Sequence, residues 1–313
     1  MTTELLEKVE EPISRLVLLT GPSGYVGGRL IPLLEQQPII LRCLARTPDK
    51  IRPRVKETTQ IVRGDVLNTQ SLDDGLRGVH TAYYLIHLMS GSTNFEKDDR
   101  QAAKNFAEAA KKADVRRIIY LGGLGDDADP NLSPHLRSRH EVGHILRNSG
   151  VETIELRASM VIGTGSLSFD LVKALTDRLP VMLCPKWLST PTQPIAVDDA
   201  LAYLLAAKDL PPGASRILEI GGPDIVTYGD IIREYARQQG LRRWLISVPV
   251  LTPYLSSLWL ALVTPASFEI GRHLIEGLKN PTLAADKTAL SLFPIRPIGI
   301  REAIHKTLTA TNS

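Results

Sequence analysis

Apolar residues in the first half of the chain fall in short continuous runs, separated by stretches with helical spacing. Residues 16–20 form one such run and end in a Gly-rich turn, the pattern of a strand buried on both faces. Residues 25–36 then place Val26, Leu30, Leu33 and Leu34 along one side of a helix. Further strands are predicted at 39–45, at 61–62 leading into a turn, and at 81–87, 116–121 and 153–157. Between them, 71–76 predicts a short helix capped by Ser71, with Asp73 and Asp74 in its first turn. Residues 94–113 predict a long amphipathic helix, and 138–148 another, stopped by Gly150. Strand, turn and helix in repetition predict an α/β fold with a Rossmann-type doubly wound parallel sheet.

Beyond about Gly163 this rhythm loosens. Helical spacing recurs at 168–179, 197–208, 228–239 and 268–278, between Pro-rich joins. The expectation is a dinucleotide-binding Rossmann core over 13–165, with a small, mostly helical C-terminal annex over 166–313 packed on the same domain. Trp187, Tyr203, Tyr228, Trp244, Tyr254 and Trp259 are then the annex core, or an apolar pocket for a small hydrophobic substrate.

Composition narrows the function classes. Hydrophobic residues at 43% and charged residues at 23% are ordinary for a globular chain. A net charge of +3, with basic residues scattered, lacks the basic stripe of a nucleic-acid binder. Cys43 and Cys184 are not in a CxxC pair, and His140 and His144 lack a third ligand and read as surface residues, so no metal site is expected. Cys43 lies in an apolar run and reads as a small buried hydrophobe. The acidic, polar start has no signal-peptide pattern, and a reducing cytoplasmic setting is expected. Residues 244–268 carry no charge but contain Pro249, Pro253 and Pro265. No transmembrane span is expected there, although peripheral membrane or protein docking through 244–268 stays open.

The chemistry-bearing motif is TGPSGYVGG at 20–28. Gly21 permits a tight turn, Gly24 lets backbone N–H groups approach a pyrophosphate, and Gly27 lets helix and strand pack closely. Ser23, Tyr25 and Val26 complete the turn at the positive end of the helix. The end of the second strand reads Leu44-Ala45-Arg46-Thr47, with no acid until Asp49. Arg46 there suits a 2′-phosphate and favours NADP(H), unless it serves only solubility. Arg42 points the same way if the strand alternates. Asp65 and Val66 are placed to contact the adenine.

These motifs, with GDV at 64–66, AYYLIH at 82–87, YLGGLG at 120–125 and LRASMVIGTGS at 156–166, resemble the short-chain dehydrogenase/reductase superfamily. The likeness is to its atypical, extended branch, the NAD(P)H-binding, epimerase-like group, and it runs over nearly the whole chain. It implies that Leu85, Ile86 and His87 border the cofactor ribose. Leu121, Gly122 and Gly123 would pass beneath the nicotinamide ribose, and Ala158, Ser159, Met160 and Val161 would meet the carboxamide end.

The catalytic centre departs from that resemblance. Members of the superfamily use a Ser after the fifth strand and a Tyr-x-x-x-Lys on the next helix. Here the Ser slot reads Gly122-Gly123, the Tyr slot His135 and the Lys slot Arg139. His135 is either a substitute general acid, with Arg139 holding ribose hydroxyls or a substrate oxygen, or an exposed loop residue. His87, at a strand end, is a second candidate acid, or a histidine packed on the cofactor. Asp98 and Asp99 read as a solvated helix face. Two functions follow: an NADPH-dependent reductase of a hydrophobic carbonyl, enone or quinone-like compound, or a non-catalytic NADP(H)-binding regulatory or accessory protein.

Overall fold

The computed structural model describes residues 15–88, 94–248 and 277–311. Seven parallel strands form the central sheet: β1 (Arg15–Thr20), β2 (Ile39–Ala45), β3 (Gln60–Arg63), β4 (Thr81–Tyr84), β5 (Arg117–Gly123), β6 (Glu152–Ala158) and β7 (Arg216–Ile220). Their spatial order is β7-β6-β5-β4-β1-β2-β3. The order reverses between β1 and β4, where ligands of doubly wound sheets bind outside the strand ends.

Helices cover both faces. α1 (Tyr25–Leu34) packs with α6 (Val197–Ala207) on one face, where Leu30, Ile31, Leu34, Leu201 and Leu204 are buried against Val17 and Leu19 of β1. α2 (Thr69–Leu76), α3 (Phe95–Lys112) and α4 (Pro134–Arg147) cover the other, burying Leu72, Leu76, Phe106, Val142 and Leu146 with Leu18. The run 16–20 is apolar throughout because both faces of its strand are covered.

The C-terminal region adds α5 (Leu167–Arg178), α7 (Tyr228–Gln238), α8 (Thr288–Leu292) and α9 (Ile300–Thr311). Phe169, Leu175, Trp187, Tyr228, Ile231, Tyr235 and Ile304 form its own apolar cluster. α7 starts with a reciprocal capping box between Thr227 and Asp230. Tyr203 packs instead in the main core, edge-on to Phe293.

Several sequence expectations are corrected. β7 was not foreseen, although it pairs with β6 across five residues, so the C-terminal region completes the sheet as well as covering it. α2 is capped by Asn68, which accepts from the Gln70 N–H, and no acid lies in its first turn. α4 begins at Pro134, four residues ahead of the expected start, because Ser133 accepts from the Leu136 N–H and Pro134 suits the first helical position. Asp99 is 1% exposed and His140 8%, so neither is a surface residue. Of the uncharged stretch 244–268, residues 249–268 lie outside the described residues, as do Tyr254 and Trp259. Trp244 pairs with Val181 in a short parallel ladder and is 71% exposed, so it is no part of a core. No helix among the described residues is long and apolar enough to cross a membrane.

Arg117 ties β5 to the C-terminal region. Its guanidinium is buried, pairs with Glu152 at 2.8 Å and donates to the carbonyls of Ala207, Lys208 and Pro211 at the end of α6. Removing it strands a buried carboxylate and orphans helix-end carbonyls. Arg117→Ala is therefore expected to lower the unfolding free energy by about 3 kcal/mol, measured by urea denaturation.

Candidate cofactor cradle and active site

The cradle is built by backbone contact. Gly21 has φ of +67°, and a Cβ on it would lie 2.5 Å from the Leu85 carbonyl oxygen. A Cβ on Gly27 would lie 2.2 Å from the Gly21 carbonyl oxygen. No side chain caps α1 and no acid occupies its first turn, so the positive helix end is left for an anionic ligand. Ser23 and Gly24 are exposed at the mouth of the turn, and Val26 packs against the core behind it. The Thr20 hydroxyl donates to the Tyr83 carbonyl at 2.9 Å and accepts from the Leu85 N–H at 3.1 Å, joining the ends of β1 and β4. This cradle fits a diphosphate. The Tyr25 hydroxyl lies against Gly163, and the Arg29 guanidinium sits 4.2 Å from its ring centroid.

On the far side of the turn, Arg46 is exposed just past β2. Arg42 does not join it. Its guanidinium donates to Gln60 at 2.9 Å and to the carbonyls of Gly75 and Arg77 at 3.0 and 2.8 Å, closing the C-terminus of α2. Sequence reasoning missed Arg54. A short turn at Arg52–Arg54 brings its Nη1 to 3.9 Å from where a Cβ on Gly28 would sit, beside the first turn of α1. Asp65 accepts from the Leu67 N–H at 3.0 Å, and the Val66 carbonyl accepts from the buried Asn105 amide at 3.0 Å.

Leu85, Ile86 and His87 leave β4 beside the glycine turn and are half-buried. Leu121 is half-buried within β5. At the end of that strand, a Cβ on Gly122 would press on the Glu155 carboxylate at 2.9 Å, and one on Gly123 on Leu136 at the same distance. Glu155 is fully buried and ion-paired with Arg147 and Arg157, so a larger residue at 122 would disturb that pair. Ala158 accepts from the Leu124 N–H at 2.9 Å, and Met160 is buried in the C-terminal apolar cluster. Between them, the Ser159 hydroxyl bonds Thr192 at 2.6 Å and Thr282 at 2.7 Å.

His87 and His135, 48 residues apart, are in direct contact: His87 Nε2 lies 3.0 Å from His135 Nδ1. The early start of α4 makes this possible, putting His135 in its first turn and Arg139 one turn later on the same face. Arg139 stacks 4.8 Å from the Tyr120 ring centroid and reaches toward the Ile86 carbonyl at 3.5 Å. His87 Nδ1 bonds Asp99 at 2.8 Å; Asp99 also accepts from the Ser138 hydroxyl at 2.9 Å and the Leu88 N–H at 2.9 Å. Burial opposes ionisation of Asp99, yet the bonds from His87, Leu88 and Ser138 hold its pKa below the ordinary carboxylate value. Burial lowers the pKa of His87, with the Arg139 charge adding to it and the Asp99 bond opposing. The segment after Gly277 borders this group: Asn280 accepts from the Ser133 N–H at 3.0 Å, and a Cβ on Gly277 would lie 3.7 Å from the His135 ring.

Asp99 was legible in principle. Phe95, Asp99, Ala102, Ala103 and Phe106 share one buried helical stripe, so a carboxylate at this position needed a partner. His140 also has partners: its Nε2 bonds the Gly123 carbonyl at 3.0 Å, and its Nδ1 lies 2.6 Å from the Asp127 carboxylate. Among the described residues, no three His, Cys, Asp or Glu side chains are grouped to hold a metal. Both cysteines are buried, and burial raises the Cys43 thiol to about 12.

Burial lowers the pKa of His80, His87 and His140 alike from the ordinary 6.5. The unfolded chain then binds more protons than the native one below that value, so stability is full above it and is lost as pH falls. Urea midpoints are expected to drop between pH 7 and pH 5, and less steeply in His87→Gln. A midpoint that holds constant or rises over this window contradicts the assignment.

Comparison with known proteins agrees with this geometry. A family model described as NAD(P)H-binding matches residues 21–167. The 3-beta-hydroxysteroid dehydrogenase of Mycolicibacterium neoaurum is 30% identical over 114 residues, 33% of this chain, and the chain spans only 31% of that relative's length. The mitochondrial NADH-ubiquinone oxidoreductase 40 kDa subunit of Neurospora crassa is 26% identical over 276 residues, covering 83% of this chain and 71% of that one. Among solved structures, the NADPH-dependent quinone oxidoreductase of Escherichia coli, complexed with NADPH, superposes with a TM-score of 0.73 at 18% identity, covering 93% of this chain and 99% of that one. Residues 21–167 therefore match the NAD(P)H-binding family, and the chain shares the overall fold of the solved quinone oxidoreductase.

Proposed function

We propose that this chain is an NADPH-dependent reductase of a hydrophobic carbonyl, enone or quinone-like substrate, with His135 as its proton donor. The observation that carries the reading is the 3.0 Å contact between His87 and His135 at the C-terminal edge of the sheet, on the strand exit that abuts the phosphate turn. A histidine there can serve near neutral pH where the superfamily uses a tyrosine. When bound, the dihydronicotinamide supplies a hydride. The Gly21–Gly27 turn and the start of α1 hold the diphosphate, and His135 gives the proton to the reduced substrate. Arg139, next to the ends of β4 and β5, holds the ribose hydroxyls or the substrate oxygen. NADP rather than NAD is favoured by Arg46 past β2, by the lack of an acid before Asp49, and by Arg54 beside Gly28. The fold shared with a quinone oxidoreductase supports the substrate class.

A second reading, a non-catalytic NADP(H)-binding accessory protein, is favoured by the match across 83% of the chain to a mitochondrial NADH-ubiquinone oxidoreductase subunit. Turnover separates the two. Purified protein is expected to oxidise NADPH against quinones or enones, monitored by nicotinamide absorbance. His135→Ala should lower kcat by about 100-fold with little change in the KM for NADPH. Arg46→Ala should raise the KM for NADPH by about tenfold and leave that for NADH unaltered. NADPH binding without turnover over the whole panel supports the accessory reading. A preference for NADH that Arg46→Ala does not change overturns the 2′-phosphate assignment.

A further inference from the structure

We propose that Asp99 is the positioning residue of the histidine pair: its carboxylate fixes the ring tautomers of His87 and, through it, of His135, so that the pair exchanges its proton at His135 Nε2. The proton's destination rests on the reductase reading; the tautomer lock rests on geometry alone.

Asp99 lies on the buried stripe of α3 and is 1% exposed. One of its oxygens accepts from His87 Nδ1 at 2.8 Å and the Ser138 hydroxyl at 2.9 Å, and the other from the Leu88 N–H at 2.9 Å. Three donors from three parts of the chain hold the carboxylate in place and satisfy its charge. An ionised carboxylate only accepts, so His87 Nδ1 must carry a hydrogen. Among the described residues, the titratable and charged groups facing the His87 ring are Asp99 from α3, and His135 and Arg139 from α4. Burial and the Arg139 cation both disfavour a second proton on His87. A neutral ring protonated at Nδ1 has its lone pair at Nε2, which then accepts across the 3.0 Å contact, so His135 Nδ1 must also carry a hydrogen. The position at which the His135 ring gains or loses its proton is therefore Nε2.

The chemistry balances. In the reductive step the His135 imidazolium gives its Nε2 proton to the substrate oxygen while a C–H bond forms with the hydride of the reduced nicotinamide. His135 is left neutral with its hydrogen at Nδ1, still bonded to His87, and regains its proton at Nε2 to reset. Substrate, NADPH and one proton become reduced substrate and NADP⁺, and Asp99 stays ionised throughout. Without the carboxylate, His87 can carry its hydrogen at Nε2 and donate toward His135. His135 then offers only a neutral N–H, a far weaker acid.

The test has two arms on the full chain. Nitrogen-15 imidazole spectra of the wild-type protein are expected to show both His87 and His135 protonated at Nδ1. In Asp99→Asn, whose amide can donate to His87 Nδ1, that pattern should be lost. Its kcat should fall by at least about 100-fold and its pH–rate profile should change on the acid limb, with the KM for NADPH held. Lys104→Ala, on the exposed side of the same helix, keeps the carboxylate and its donors and is expected to match wild type with an unshifted profile. Wild-type spectra with His87 protonated at Nε2, or an Asp99→Asn profile identical to wild type, overturn the proposal. The wild-type spectrum decides even where Asp99→Asn does not fold. Doubly Nδ1-protonated rings in a protein that never turns over uphold the lock and overturn the reductase reading instead.

Discussion

The close approach of backbone to backbone at Gly21 sets the geometry on which the rest of the site depends. The Gly21 Cα sits against the Leu85 carbonyl, and Gly27 sits against Gly21 in turn, at distances that leave no room for a Cβ. These two contacts press the N-terminus of α1 toward the sheet and fix the exit of β4 beside the phosphate turn. The Thr20 hydroxyl, shared between the Tyr83 carbonyl and the Leu85 N–H, secures the same junction. His87 follows two residues later, so the position of the histidine pair relative to the cradle is a consequence of glycine sterics at the strand-order reversal.

A second constraint is buried charge on the β5–β6–α4 side. Glu155, Arg157, Arg147 and Asp127 form a connected group of ion pairs, with His140 beside Asp127. Groups of this kind are costly to desolvate and tolerate little change in shape. The packing here accounts for glycine at both positions: a side chain at 122 would meet the Glu155 carboxylate, and one at 123 the Leu136 side chain. His135 and Ser138 lie on another edge of α4, where they meet His87 and Asp99. Asp99 is the counterpart of Glu155 on that edge, a buried carboxylate whose donors leave it one orientation.

Much of the fold was legible because its signals are local. A continuous apolar run, a glycine turn and a helix of matching period sit within about twenty residues of one another, and each restricts the same stretch of backbone. The glycine turn between the first strand and the first helix could therefore be placed residue by residue. Element boundaries that depend on a cap were less legible: Ser133 and Pro134 start α4 a turn before its apolar pattern does. β7 was missed because Arg216–Ile220 is only five residues long and takes its meaning from the edge of β6, which lies some sixty residues earlier. Arg42, assigned to the cofactor on alternation alone, is claimed by the C-terminal carbonyls of α2, a demand that no spacing in the second strand reveals.

The sequence by itself determined the Rossmann architecture and the glycine turn that opens its first helix. These are statements about which residue types occupy a local frame. It named His87 and His135 separately, and it read Asp99 as a solvated charge. Only the tertiary structure decided that these three, drawn from a strand exit and two helices, form one hydrogen-bonded chain. The physical reason is that a side-chain hydrogen bond depends on about a tenth of a nanometre in the placement of whole elements. That placement is set by packing of the sheet and helices, and no periodicity within any one of those segments encodes it.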